Sequence, residues 1–206
     1  MKKLIILSIF LFRVIFAFAC DLPGHFRFEV INSYEELLYF GCYDAVNRGP
    51  HITEYILTRE RLEGQRAARP AARFTQNRDG GVLQALLAEN GFSLPNHDNF
   101  TNSGFDRGHM APNADFNDTH ENALLTFFIA NIWPQTPRLN RVDWLVTENE
   151  TRRLAREYGA VRVIILVDEF SGRFVRDIQV PTNFKRFVYC VVTDDLIYEI
   201  TVWQEF

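Results

Sequence analysis

The sequence predicts an α+β layer fold, and three observations carry that prediction. His51–Leu57 alternates apolar and polar residues like a strand. Two helical stretches, Glu121–Ile129 and Asn140–Tyr158, occupy the middle of the chain. Strand-like apolar segments follow at 162–167, 178–181, 187–192 and 198–203. Strands on both sides of a central helix pair fit a layered α+β arrangement. A chain of 206 residues with 47% hydrophobic and 23% charged residues is long enough for one domain with a real core. No internal repeat, low-complexity tract or long linker interrupts it.

Residues 1–19 read as a cleaved secretory signal. Lys2 and Lys3 precede the apolar run Leu4–Phe12, and Ala17-Phe18-Ala19 is an A-x-A cleavage site that leaves Cys20 first. Arg13 breaks the run, which argues against a membrane-spanning anchor of about 20 clean apolar residues. A lipid-modified Cys20 is the alternative, although Ala17 stands where bacterial lipoprotein signals place leucine. The domain expectation is therefore a signal over 1–19 and one folded domain over 20–206. Export implies an oxidising compartment. Cys20 and Cys42 flank a short segment and could close it into a loop. Cys190 lies in the apolar run Phe187–Val192 and reads as a buried strand thiol. No cysteine or histidine spacing indicates structural zinc.

Taken in order, Tyr34–Phe40 reads as a short amphipathic helix. His51–Leu57 is a strand, after which Thr58 caps a short turn. Arg59–Pro95 is irregular and polar apart from Val82–Ala88, and a long loop-rich segment of this kind usually carries function. Gly104–His109 is a strand end or turn. Glu121–Ile129 is apolar at helical spacing, and Asn140–Tyr158 is the clearest helix, ending before Gly159. The later segments are strands, that over 162–167 being buried.

Charge constrains the partner. Without residues 1–19 there are 19 basic residues (22 less Lys2, Lys3 and Arg13) against 26 acidic, a balance of −7. A polyanion binder with that balance cannot rely on its global field and needs a local basic patch and a metal. Arg59, Arg61, Arg66, Arg69, Arg73 and Arg78 supply the patch, while Lys185 is the only lysine beyond residue 19. Glu60 and Glu63 alternate with this run, so part of it reads as a solvated helix face. One or two of these arginines are expected to reach substrate, where the guanidinium fork matches phosphate.

The chemistry concentrates in Asp106-Arg107-Gly108-His109, followed by Asn131-Ile132-Trp133-Pro134-Gln135 and then Leu139-Asn140. A candidate general base, an arginine and a neutral oxygen donor for a hard metal stand together. That is the equipment for metal-assisted phosphodiester hydrolysis. A lone histidine is usually structural, but these neighbours reverse that expectation for His109, whose unperturbed pKa of about 6.5 suits a base near neutral pH. Gly108 lets the backbone approach closely. Glu148 and Arg152 lie about 80° and 120° around an α-helix from Asn140, on one broad face, with Glu148 about 12 Å further along the axis. Direct coordination of one ion by both Asn140 and Glu148 is then awkward.

Gly104–Trp144 closely resembles the DNA/RNA non-specific endonuclease family, the ββα-metal or His-Me finger nucleases. The resemblance extends more loosely over Cys42–Asp195. It implies a central antiparallel sheet with the catalytic finger and long helix packed on one side. It implies His109 as general base, Asn140 as the direct protein ligand of Mg²⁺ (with Mn²⁺ able to substitute), and Glu148 serving a metal-bound water or an arginine. Arg152 matches the family spacing in the catalytic set. Arg107 would contact the phosphate. Arg73 or Arg69 matches a second family arginine. Asn131 would organise the site near His109, Gln135 would touch substrate or the groups behind it, and Asp106 would hold the loop beside substrate by hydrogen bonds. Secreted members often carry a cysteine pair like Cys20 and Cys42. DNA and RNA are the implied substrates and 5′-phosphates the implied ends. The protein would be secreted or periplasmic, monomeric or homodimeric, and free of stable membrane association.

Departures from the family pattern are Val167-Asp168-Glu169, and Asn183 where a histidine is common; they bear on stability and specificity rather than chemistry. Phe105, Phe127, Phe128 and Trp144 read as core, whereas Trp133 reads equally as core or as a stacking surface. Asn149-Glu150-Thr151 is a glycosylation sequon between Glu148 and Arg152, where a glycan would crowd the site. Two other classes remain open: a non-catalytic nucleic-acid binder on the same fold, and a hydrolase using Cys190 as nucleophile, which the apolar setting of that thiol disfavours.

Overall fold

The computed structural model describes residues 20–206; the expected signal segment, 1–19, lies outside the described residues. Among the described residues there are ten strands: β1 (His25–Ile31), β2 (Leu37–Asp44), β3 (Gly49–Thr58), β4 (Asp106–His109), β5 (Ile132–Gln135), β6 (Ala160–Leu166), β7 (Phe170–Val175), β8 (Ile178–Pro181), β9 (Asn183–Cys190) and β10 (Leu196–Trp203). The α-helices are α1 (Arg59–Glu63), α2 (Val82–Glu89), α3 (His120–Leu125) and α4 (Trp144–Tyr158). A six-stranded sheet runs in the order β1-β2-β3-β6-β9-β10, every pair antiparallel. β4 pairs with β5, and β7 with β8, as separate two-stranded units.

Period-two alternation explains the sheet. Along β3, Tyr55 and Leu57 are buried on one face, while on the other Ile52 is partly exposed and Ile56 exposed. β6 places Val161, Val163 and Ile165 in the same core layer, and β9 adds Phe184, Arg186 and Val188. Helix α4 covers this face with Trp144, Leu154 and Ala155. It ends at Gly159, whose φ of 83° belongs to the left-handed region that glycine tolerates. Arg59 then donates from Nε to Arg156 O at 2.7 Å and from Nη2 to Glu157 O at 3.2 Å. Those bonds satisfy carbonyls that a helix C-terminus leaves open.

The helix expected over Tyr34–Phe40 is replaced by a turn followed by β2. Asn32 Oδ1 accepts from the backbone N–H of Tyr34 and of Glu36, both at 3.0 Å, and Glu35 sits at φ 62°. Leu37 onward finds ladder partners in both β1 and β3. Seven residues cannot form a stable isolated helix, so tertiary pairing overrides the weak helical pattern. β1 alternates Phe26, Phe28 and Val30 with Arg27 and Glu29, and β1, β5 and β7 are not among the strands expected from the sequence. Within the polar segment, α1 and α2 form; Thr58 accepts from the N–H of Arg61 at 3.2 Å and caps α1.

Cys20 and Cys42 form a disulfide with Cα atoms 5.4 Å apart, tying the first described residue to β2. The bond spans a sequence separation of 22, and loop-closure entropy of that size is worth about 3 kcal/mol. Thermal melts with and without reductant, and of Cys20→Ser, are expected to show a loss of that order. Cys190 is buried and unpaired, as expected of a strand thiol. Trp133 is core: it is fully buried and donates Nε1 to Pro50 O at 2.7 Å, and a Cβ on Gly49 would overlap its ring.

Candidate active site

The site is a strand–strand–helix unit. β4 and β5 pair with Asp106 opposite Gln135 and His109 opposite Ile132. The chain then enters a five-residue π-turn, Leu139–Asp143, that leads into α4. Gly108 is required by this pairing. Gln135, fully buried, lies against it so closely that an added Cβ would overlap the Gln135 side chain. Gly108→Ala is expected to destabilise by about 1–3 kcal/mol through overpacking, read as a lower melting temperature; Gly80→Ala, although strained by its φ of 74°, meets no atom within 4 Å and serves as the comparison for steric overlap.

His109 is buried against two rings, Phe74 at 5.2 Å and Phe127 at 5.6 Å between centroids. Its Nε2 has no hydrogen-bond partner. Burial lowers its pKa to about 3, with the positive charge of Arg69 adding to the effect. The imidazole is therefore neutral at physiological pH, the form that accepts a proton. Arg69, itself exposed, lies over the other wall of this pocket, 5.5 Å from the Phe127 ring.

Asn131 spends its whole side chain on backbone. Its Oδ1 accepts from the N–H of Ala111 at 2.8 Å, and its Nδ2 donates to Ala111 O at 3.0 Å and Thr126 O at 3.1 Å. These bonds hold the segment that leaves His109, which makes Asn131 a positioning residue. Asn140 sits in the π-turn and donates Nδ2 to Asp106 Oδ2 at 2.9 Å. The amide nitrogen is thereby fixed, and Oδ1 is left as the available acceptor. Arg141 grips the same carboxylate with two bonds of 2.8 and 2.7 Å. The bond from Arg141 holds the Asp106 carboxyl below its ordinary range, with Asn140 assisting against burial. Because the π-turn widens the helix here, the α-helical angles between Asn140 and Glu148 do not apply.

Arg107 turns toward the preceding loop. Its Nη2 donates to His97 O at 2.9 Å and to Thr101 Oγ1 at 3.1 Å. Arg73 is exposed and pairs with Asp98 at 2.6 Å. Glu148 and Arg152 form a buried pair at 2.9 Å. Arg152 also donates Nε to Asp115 Oδ1 at 2.6 Å and Nη1 to Asn149 Oδ1 at 2.8 Å. Burial opposes the charge on Arg152, but Asp115 and Glu148 prevail and raise its pKa. Burial raises the pKa of Glu148, against the pull of Arg186 and Arg152.

Sequence reasoning missed the deeper part of this network. Asp115 is fully buried and accepts from Tyr55 OH at 2.8 Å. Arg186, also fully buried, donates to Tyr55 OH at 3.4 Å and Thr151 Oγ1 at 3.2 Å, with its guanidinium 4.4 Å from the Trp144 ring centroid. Charged residues in otherwise apolar strands, such as Arg186 between Phe184 and Val188, are the signal that could have found it. The arginine run divides by role. Arg59 caps α4, Arg61 pairs with Glu36 and Asp118, and Arg66 donates to Ala114 O and Leu62 O. Arg69 and Arg73 remain exposed on the site side.

A histidine on the first strand and an asparagine at the helix entrance define the ββα-metal class of nuclease folds. The chain belongs to the DNA/RNA non-specific endonuclease family, whose model matches residues 30–202. Among its relatives are a mitochondrial nuclease of Schizosaccharomyces pombe, 28% identical over 158 residues, covering 76% of this chain and 45% of that protein. Human mitochondrial endonuclease G is 34% identical over 125 residues, covering 61% of this chain and 39% of that protein. The chain thus spans less than half the length of these relatives. A chain in the crystal structure of an EndoG/EndoGI complex shares the fold, with a TM-score of 0.65, 22% identity, and coverage of 81% of this chain and 71% of that one.

Proposed function

We propose that this protein is an exported, divalent-metal-dependent endonuclease that hydrolyses phosphodiester bonds of DNA and RNA and leaves 5′-phosphate ends. The observation that carries this reading is His109: a neutral, buried imidazole with an unused Nε2, on the strand next to an oriented Asn140. Family membership over residues 30–202 supports it, and the disulfide between Cys20 and Cys42 is consistent with export.

Donor chemistry fits a hydrated hard cation. Among the described residues no cluster of three or more His, Cys, Asp or Glu side chains could hold a metal. One amide oxygen, Asn140 Oδ1, is the available protein donor, which suits Mg²⁺ or Mn²⁺ keeping most of its water. When bound, the ion supplies charge stabilisation at the phosphate and at the departing 3′ oxygen.

The chain's own residues supply the rest. His109 Nε2 takes a proton from water as the water oxygen bonds to phosphorus. The phosphorus–O3′ bond breaks opposite the attack, and the 3′ oxygen takes a proton from solvent. Asp106 keeps the Asn140 amide in one orientation. Asn131 holds the backbone after His109. Glu148 is held by Arg152. Arg69, and Arg107 through its remaining N–H groups, add positive charge where phosphate oxygens gather. Contacts confined to phosphate and sugar carry no sequence information, so weak dependence on base identity follows.

Supercoiled plasmid and RNA incubated with protein lacking residues 1–19 test this reading. Degradation of both with Mg²⁺ and neither with EDTA is the expected result. Binding of plasmid without cleavage under either metal would replace it with the non-catalytic reading.

A further inference from the structure

A cleft of about 540 Å³ opens beside β4, with Asp106 and Arg107 in its wall together with His97, Phe100, Thr101, Phe105 and Arg141. Its size lies within the range of pockets that hold small organic molecules. We propose that this cleft is a subsite for one unpaired nucleotide flanking the scissile phosphate, and that it gives the protein a preference for single-stranded substrate. The proposal rests on the nuclease reading of the adjacent site.

Charge and surface chemistry point to a nucleotide. Arg107 spends Nη2 on the loop, and Arg141 spends Nε and Nη2 on Asp106, so each guanidinium retains Nη1 for a phosphate oxygen. Asp106 offsets one of the two charges, and burial lowers the pKa of His97 and keeps it neutral. The cleft therefore carries a net positive charge on a chain that is acidic overall. Phe105, expected from the sequence to be core, is half-buried and lines the cleft, and its ring lies 6.5 Å from that of Phe206 between centroids. The loop that shapes the cleft is set in place: Ser103 Oγ donates to Phe100 O at 2.7 Å, and Asn102 and Gly104 adopt φ of 57° and 82°.

A base stacks on a phenylalanine face only when it is out of a duplex stack, and such stacking tolerates any base. The combination of an aromatic wall with guanidinium edges is the chemistry of single-strand binding. Asp106 joins the cleft to Asn140, so an occupant here would be continuous with the strand at His109.

Fluorescence anisotropy in EDTA tests this with a labelled single-stranded oligonucleotide and a hairpin duplex of equal length. Wild type is expected to bind the single strand more tightly. Phe105→Leu, which keeps the apolar volume but removes the ring, is expected to weaken single-strand binding roughly tenfold, with a smaller change on the hairpin. Phe105→Tyr is expected to restore the preference. Arg141→Ala is expected to lower the salt dependence of binding by about one counterion. Melting temperatures identify any variant that misfolds, and the comparison of the two probes on wild type then carries the test. Equal affinity of wild type for both probes, or equal losses on both in Phe105→Leu, would overturn the subsite. Failure of wild type to cleave with Mg²⁺ would instead overturn the nuclease reading.

Discussion

His109→Ala is expected to slow plasmid and RNA cleavage by at least about a hundredfold, the usual scale for losing a positioned general base. Retention of DNA binding in EDTA and of the wild-type circular dichroism spectrum separates lost chemistry from lost fold. A variant that cleaves within a few-fold of wild type would remove His109 from the mechanism. The pH dependence is a companion test. Its pKa is lowered to about 3 by burial and by Arg69, so the basic form persists well below the ordinary histidine value. The acid limb of free-enzyme activity that belongs to His109 is expected far below pH 6.5. Stability moves with the same group. Below about pH 6.5 the unfolded imidazole binds a proton that the folded one refuses, so its contribution is complete above that pH and is lost as pH falls toward about 3.

Asp115→Ala is expected to produce the largest loss of stability. It leaves the buried Arg152 side chain without its shortest partner, and also strips the acceptor from Tyr55. Breaking a buried pair from one side costs about 3–5 kcal/mol. For a domain of this size that is a fall on the order of 10 °C in melting temperature. Cleavage is expected to fall as well, because Asp115 anchors the arginine that holds Glu148. The paired variant Asp115→Ala with Arg152→Met removes the stranded charge and is expected to recover part of the stability but not the activity. A single variant that melts like wild type would show that water or a shifted Glu148 replaces Asp115 at no cost.

Much of the candidate catalytic unit is legible in the sequence. Asp106-Arg107-Gly108-His109 and the following Asn131–Asn140 spacing identify a compact local unit, and Gly108 and Gly159 act through their own backbone. The alternation in β3 and β6 reports burial directly, since one face of each is apolar. Tyr34–Phe40 carries a weak helical pattern but forms a turn and the start of β2, because these residues have two strand partners from elsewhere in the chain. The arginine run was legible as a patch but not by role. Whether an arginine meets a helix end, as Arg59 does, or an aspartate, as Arg73 does, depends on segments 25 to 97 residues away.

By itself, then, the sequence determined the family and which side chains are candidates for the chemistry, because these depend on residue type and short spacing. Only the tertiary structure decided what state those side chains are in. Burial between Phe74 and Phe127 makes His109 neutral, Asp106 turns the amide of Asn140, and the Asp115–Arg152–Glu148 network places charges under α4. Desolvation and ion pairing depend on which distant groups share a volume, and no local pattern encodes that.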